Sequence, residues 1–401
     1  MRTIHPFPAR MAPDTVKRLF RGLPTRATVL DPMCGSGVVL RCAAEMGYKS
    51  IGFDIDPLAV LMSRVWTAKA SVRSALAEAE TVVERARMLR LRDCKLPWID
   101  ECPETKRFTK FWFANEQRRK LRQLSYLLIH SSSNIPVHIR NCLWLAFSRI
   151  IITKHAGASL AWDVSHSRPH KMREENDFDV ESMFLRSTAR LIETLEDEEI
   201  KCSARVRIGD CRRLSRIQQH SVDAVITSPP YLNAIDYLRG HKLSLVWMGH
   251  SIPSLRDLRA KSIGTEAAKL HPDAHAGWNE ALSSLREYPD LPIRQQNIIA
   301  KYARDASCFL SEMHRLIRPG GCLALVLGDS NIRGCRIENS KLFSHLARQI
   351  GFKKTSQHRR HLKENHRYLP VISKDDSLEN RMRYEVIQTY VAVSKKSLRR
   401  Q

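Results

Sequence analysis

A glycine-bearing turn between a short apolar strand and a helix constrains this chain more than any other feature. Ala27 to Leu30 form the apolar run, Asp31-Pro32-Met33-Cys34-Gly35-Ser36-Gly37 the turn, and Val38 to Gly47 the helix. Glycine lets the backbone close tightly and bring N–H groups up to a ligand at the positive end of a helix. A second unit of the same kind follows. The strand Ser50-Ile51-Gly52-Phe53-Asp54 leads into a helix opened by Pro57, where proline is well tolerated. With a helix predicted over Met11 to Phe20, this alternation predicts an α/β fold on a doubly wound, mostly parallel sheet.

Residues 70–199 break the pattern with long helical stretches, Val72 to Arg92, Glu116 to His130 and Val137 to Lys154. The expected organisation is an α/β domain of residues 1–69 and 200–401 carrying a mainly helical, basic insertion over 70–199. In the insertion Arg107, Lys110, Arg118, Arg119, Lys120, Arg122, Arg140, Arg149 and Lys154 have almost no acid near them in sequence except Glu116. Phe108, Phe111, Trp112 and Phe113 are interleaved with them. Two readings stand: a surface for a phosphate backbone, or a helical cap with core aromatics and solvated charges. The loop around His166, Arg168, His170 and Lys171 offers donors for phosphates or bases; no cysteine or carboxylate completes a metal set there. The α/β pattern resumes at 204–210, with strands over Val222 to Thr227, Cys322 to Leu327, Phe352 to Ser356 and Tyr384 to Val393.

The balance of 66 Lys+Arg against 42 Asp+Glu gives a formal charge of +24. That excess favours a polyanionic partner through release of condensed counterions. No apolar run suits a bilayer span and no signal segment opens the chain. Ten scattered cysteines without a C-x-x-C pair fit reduced thiols, so the expected compartment is the cytoplasm.

The strand Val222 to Thr227 ends in Ser228-Pro229-Pro230-Tyr231. A polar side chain, two prolines and an aromatic ring at a strand end can grip the exocyclic amine of a flat base. The amine is a poor nucleophile because its lone pair is delocalised into the ring. Acceptors such as the Ser228 side chain and the Pro229 carbonyl would localise that pair, the prolines would fix carbonyl direction, and Tyr231 would stack on the base. The glycine turn lacks the G-x-G-x-x-G spacing of dinucleotide sites, and Asp54 ends the next strand, where a carboxylate can accept from ribose hydroxyls.

Together the two motifs resemble those of the site-specific DNA amino-methyltransferases, on the class I S-adenosylmethionine-dependent methyltransferase fold. The resemblance implies that Asp31, Pro32, Cys34, Gly35, Ser36 and Gly37 hold the methionine part of S-adenosylmethionine. It implies Asp54 on the ribose, with Asp56 as a nearby substitute, Asp210 on the adenine amine, and Phe7 of His5-Pro6-Phe7-Pro8 packed near the cofactor. Ser228, Pro229, Pro230 and Tyr231 would be catalytic. The segment Asn233 to Lys242 is similar to the one that follows this motif in the family, with Arg239, His241 and Lys242 as candidate phosphate or base contacts. Arg381 to Glu385 looks like the family's closing motif.

S-P-P-Y resembles the motif of the family's cytosine-N4 branch, whereas D-P-P-Y and N-P-P-Y are commoner in its adenine-N6 enzymes, so the resemblance implies cytosine N4 as the methylated atom. In the carbon-5 cytosine family the nucleophilic cysteine follows a proline, and the absence of any Pro-Cys dipeptide here excludes that reading. The expected partner is duplex DNA, with a cognate restriction endonuclease as a further one. An RNA base amine and an inactive nucleic-acid-binding homologue are the alternatives. Residues 70–199 and 251–292 are both candidates for target recognition.

Overall fold

Among the described residues seven strands form one sheet: β1 (Thr28–Asp31), β2 (Lys49–Asp54), β3 (Arg205–Ile208), β4 (Val222–Thr227), β5 (Ile317–Gly328), β8 (Phe352–His361) and β9 (Tyr384–Ala392). They lie side by side in the order β3-β2-β1-β4-β5-β9-β8. Between them β6 (Ser330–Ile332) and β7 (Cys335–Ile337) form a separate antiparallel pair. The computed structural model describes residues 3–7, 10–130, 135–153, 157–161, 170–171, 173–196, 199–232, 236–264, 279–283, 285, 288–332, 335–362 and 382–393. β1 to β5 pair in parallel, while β9 runs antiparallel to both β5 and β8. The sheet is therefore doubly wound and mostly parallel, as the alternation predicts.

Strand order reverses between β1 and β4: the chain leaves β1 towards β2 and β3, then returns on the other side. Open α/β sheets bind ligands outside the strand ends at such a switch point. β1 ends at Asp31 and β4 at Thr227, so both motifs flank it.

Contacts divide the chain into two compact units. One comprises residues 8–55, 204–235 and 260–401 and holds the whole sheet. Its core combines strand residues such as Leu30, Val225, Leu323 and Leu325 with Phe309 and Met313 of the helix Ile293–Leu316. Gly52 lets the helix Val38–Met46 pack closely on β2, since a Cβ there would sit 2.3 Å from Cδ1 of Leu40 and one of the two would have to shift.

The other unit comprises 1–7, 56–203 and 236–259 and is built mainly from helices. They include Pro57–Trp66, Ala75–Met88, Asn115–His130, Val137–Ile151, Val180–Glu196 and Tyr237–Leu245. It is larger than residues 70–199 because Pro57–Trp66 and Tyr237–Leu245 pack against Val137–Ile151. Trp112 and Phe113 are buried, so these aromatics are core, whereas Phe111 is exposed.

Candidate active site

In the sheet unit, the switch point brings together side chains far apart in sequence. The hydroxyl of Thr227 donates to the Asp31 carboxyl at 2.7 Å, joining the end of β4 to the end of β1. The Met33 amide adds a long contact of 3.3 Å. Asp31 is buried, and no cation among the described residues pairs with it. Burial pushes its carboxyl up to about 7, against the pull of those two donors.

The turn after Asp31 depends on Gly35 and Gly37, whose φ values of 50° and 90° favour glycine. Asp54, at the end of β2, accepts the Gly35 amide at 2.8 Å, and the Cys34 amide donates to the Phe53 carbonyl at 2.9 Å. β2 thus braces the turn. The helix Val38–Met46 starts at Gly37 with no side-chain cap, which leaves its first N–H groups to a ligand or water. Pro32, Cys34 and Ser36 complete the turn, with Cys34 and Ser36 buried. A buried carboxyl without a cation beside an uncapped helix start suits a zwitterion, such as the methionine end of S-adenosylmethionine.

Asp210 lies just past β3. Arg212 grips it through Nε at 2.9 Å and Nη2 at 2.6 Å and reaches on to Asp305 at 2.9 Å. Burial pushes the Asp210 carboxyl up, but Arg212 outweighs this and holds it below the usual carboxylate range. Arg212 and Asp305 were not singled out in sequence; a basic residue two positions after the strand-end acid is the local trace of this bridge.

At the end of β4, the Ser228 hydroxyl donates to the Val326 carbonyl of β5 at 2.9 Å. Its proton is thereby committed, and its lone pairs remain for an incoming N–H. Tyr231 Oη lies 3.4 Å from Ser228 Oγ. The Tyr302 hydroxyl donates to the Pro230 carbonyl at 2.9 Å; no donor reaches the Pro229 carbonyl among the described residues. The Tyr231 ring packs with Leu362 and Met382. Gly328, which ends β5, is part of this seat, since a Cβ there would meet the ring at 2.5 Å. Its signal in sequence is only a glycine closing an apolar strand.

The helical unit holds the remaining expected cofactor residues. The Phe7 ring stacks on Tyr237, with centroids 4.7 Å apart and planes 7° from parallel. Asp56 caps the helix Pro57–Trp66 through the Leu58 amide, and its other oxygen pairs with His241. Both oxygens of Asp56 are thus engaged, one in capping the helix and one with His241. Burial pushes its carboxyl up, and His241 with the helix amides brings it below the usual range.

His241, expected at a phosphate or base, is instead buried against Asp56. Lys242 lies over the Phe108 ring at 5.4 Å, and Arg239 pairs with Asp236. Lys171 pairs with Glu174 at 2.6 Å and lies over Phe111, while His170 is exposed. His166 and Arg168 lie outside the described residues, as does Arg381. The local scarcity of acids around the basic helices is met from a distance: Arg122 pairs with Asp100, and Lys120 lies near Asp179 and Glu181. Arg119 takes Glu116. No group of three or more metal-ligating side chains occurs among the described residues.

No family model matches the chain. Type II methyltransferase M.AvaI of Nostoc sp. is 22% identical to it over 376 residues, covering 81% of this chain and 73% of that protein. Type II methyltransferase M.BsoBI of Geobacillus stearothermophilus is 22% identical over 392 residues, covering 83% and 74%. A solved SAM-dependent methyltransferase from Methanosarcina mazei aligns with 94% of this chain and 98% of its own, at a TM-score of 0.35 and 9% identity. Over most of its length this chain is similar to the Type II methyltransferases, in keeping with the resemblance carried by its two strand-end motifs.

Proposed function

We propose that this chain is an S-adenosylmethionine-dependent DNA methyltransferase that modifies the exocyclic amine of a base flipped from duplex DNA, with cytosine N4 as the target atom. The observation that carries the reading is the Ser228 hydroxyl, oriented by Val326 as an acceptor beside Tyr231 at the switch point.

Bound S-adenosylmethionine would supply an electrophilic methyl group on a sulfonium. Asp31 and the uncapped turn would hold its ammonium and carboxylate, Asp54 its ribose and Asp210 its adenine amine. Ser228 Oγ and the Pro229 carbonyl would each accept one N–H of the target amine, localising its lone pair and aiming it at the methyl carbon. No ionisable base is needed to activate the amine: as the N–C bond forms the S–C bond would break, leaving a neutral thioether, and the surplus proton on the methylated nitrogen would pass to solvent. The similarity to Type II methyltransferases supports a role in protecting a short DNA sequence from a partner nuclease. Among the described residues no helix is long and apolar enough to cross a membrane.

The test is to incubate the protein with S-adenosylmethionine and mixed-sequence duplex DNA, digest to nucleosides and run mass spectrometry, with a Ser228→Ala, Tyr231→Ala control. N4-methylcytosine absent from the control supports the reading. N6-methyladenine would keep the mechanism and overturn the base. Cofactor bound with no methylated DNA nucleoside would turn the search to RNA, and failure to bind cofactor would favour the inactive homologue.

A further inference from the structure

The edge strand β8 reads Phe352-Lys353-Lys354-Thr355-Ser356-Gln357-His358-Arg359-Arg360-His361 and contains no acid. Phe352 is its one buried residue, and Lys353, Lys354, His358, Arg359 and His361 are all exposed. Across the ladder on β9, Glu385 is committed to Arg360. No ion pair involves Lys353, Lys354 or Arg359 among the described residues. The basic helices of the other unit differ here, because Asp100, Glu116, Asp179 and Glu181 answer several of their charges.

Direction matters as much as charge. β8 is antiparallel to β9, and β9 to β5, so β8 ends at the same edge of the sheet as β4 and β5. Just past His361, the Leu362 amide donates to the Arg383 carbonyl, and the Leu362 side chain packs on Met382 and Tyr231. A strand on which Lys353, Lys354 and Arg359 have no ion pair among the described residues therefore arrives at the aromatic ring of the S-P-P-Y motif.

We propose that the face of β8 carrying Lys354, Arg359 and His361, which the ladder sets opposite Tyr390, Val386 and Tyr384 on one side of the sheet, is a docking surface for the sugar-phosphate backbone of the duplex that flanks the target base. This rests on the reading of the chain as a DNA methyltransferase and adds a surface outside both segments considered for target recognition. Lysine and arginine on an edge strand also discourage sheet-to-sheet aggregation, which is the competing explanation. Edge protection predicts no salt-linked effect on DNA; phosphate contact does.

The experiment measures the affinity of the full chain for labelled duplex DNA by anisotropy between 50 and 200 mM salt, for the wild type and for K354Q/R359Q. Two lost phosphate contacts flatten the slope of log affinity against log salt by about 2, so the affinity lost over that salt range shrinks roughly tenfold. The effect is the same on every DNA sequence, K354R/R359K restores the slope, and cofactor affinity is unchanged in both variants. An unchanged slope overturns the proposal, as does a variant that aggregates while its soluble fraction binds DNA like the wild type. Wild-type protein that binds cofactor but no duplex at any salt sinks the reading of function along with it. Wild-type DNA binding with an unaltered variant slope sinks this surface alone.

Discussion

The two units each bury a titratable side chain, and they treat it in opposite ways. In the helical unit His5 is buried and held neutral, its pKa lowered to about 3, chiefly by burial. Its Nδ1 lies 2.9 Å from the Pro6 carbonyl, and its Nε2 lies 2.9 Å from the Ser148 hydroxyl, which also contacts Ser244. Both ring nitrogens are used. In the sheet unit Asp31 has one good donor, one poor one and no cation among the described residues. A satisfied buried group needs no further partner; an acid with one good donor and no cation among the described residues leaves room for one.

The largest expected effect tests whether the chemistry sits in the sheet unit. Ser228→Ala removes the oriented acceptor, and methyl transfer should fall about 100- to 1,000-fold, the range for one preorganised transition-state hydrogen bond. Cofactor affinity, followed by calorimetry, should stay within about twofold. A rate loss confined to a few-fold would mean that the amine finds its acceptors elsewhere.

Asp31 comes next. Replacing it by Asn should weaken cofactor binding roughly 10- to 100-fold, as expected for a lost charge-assisted hydrogen bond. With a free-protein pKa of about 7, Asp31 must shed a proton to bind an ammonium at lower pH. Wild-type binding should therefore release close to one proton at pH 6 and almost none at pH 8, read from heats in buffers of different ionisation enthalpy. Heats independent of buffer at pH 6 would remove Asp31 from the cofactor site. The sign for folding is the reverse of a salt-bridged acid. A carboxyl raised from 3.8 to about 7 contributes stability that is full below 3.8 and is lost as pH rises from there to 7, so the Asn variant should gain relative stability across that window and keep the gain above it.

These two residues also mark how far the sequence was readable. Asp31 and Ser228 stand out locally, because a glycine turn or a proline pair after an apolar strand is a short-range signal. The parallel sheet follows from the same alternation. What joins them does not: Thr227 reaches Asp31 across 196 positions, and His241 reaches Asp56 across 185. Asp56 and His241 each looked like site residues because spacing cannot show that they answer one another. The basic helices misled similarly. Their acids lie elsewhere in the chain, and only packing places Asp100 beside Arg122 or Glu181 beside Lys120. The unit boundary shifted for the same reason, since Pro57–Trp66 carries no mark of which neighbour its apolar face will meet.

A smaller effect is expected at His5. Its depressed pKa means that stability is complete above 6.5 and is lost as pH falls from there towards 3. His5→Phe should cost about 1–3 kcal/mol at pH 7.5 by leaving the Ser148 hydroxyl short of a partner. The same change should flatten the loss of thermal stability between pH 7 and pH 5. A variant as acid-sensitive as the wild type would show that the helical unit loses its acid stability through another group.

The smallest effect concerns the charges of the helical unit. Arg119 and Lys120 look in sequence like a DNA surface, yet Arg119 bonds Glu116 and Lys120 lies within reach of Glu116, Asp179 and Glu181. A cation already neutralised by its own protein displaces few counterions from a phosphate, and exposed pairs of this kind contribute only about 0–1 kcal/mol to stability. The double change Arg119→Gln, Lys120→Gln should therefore alter melting by no more than a few degrees and leave the salt slope of DNA binding within about 0.5 of wild type. A slope shallower by about 2 would show that DNA outcompetes the internal acids, and the helical unit would join β8 as a backbone contact.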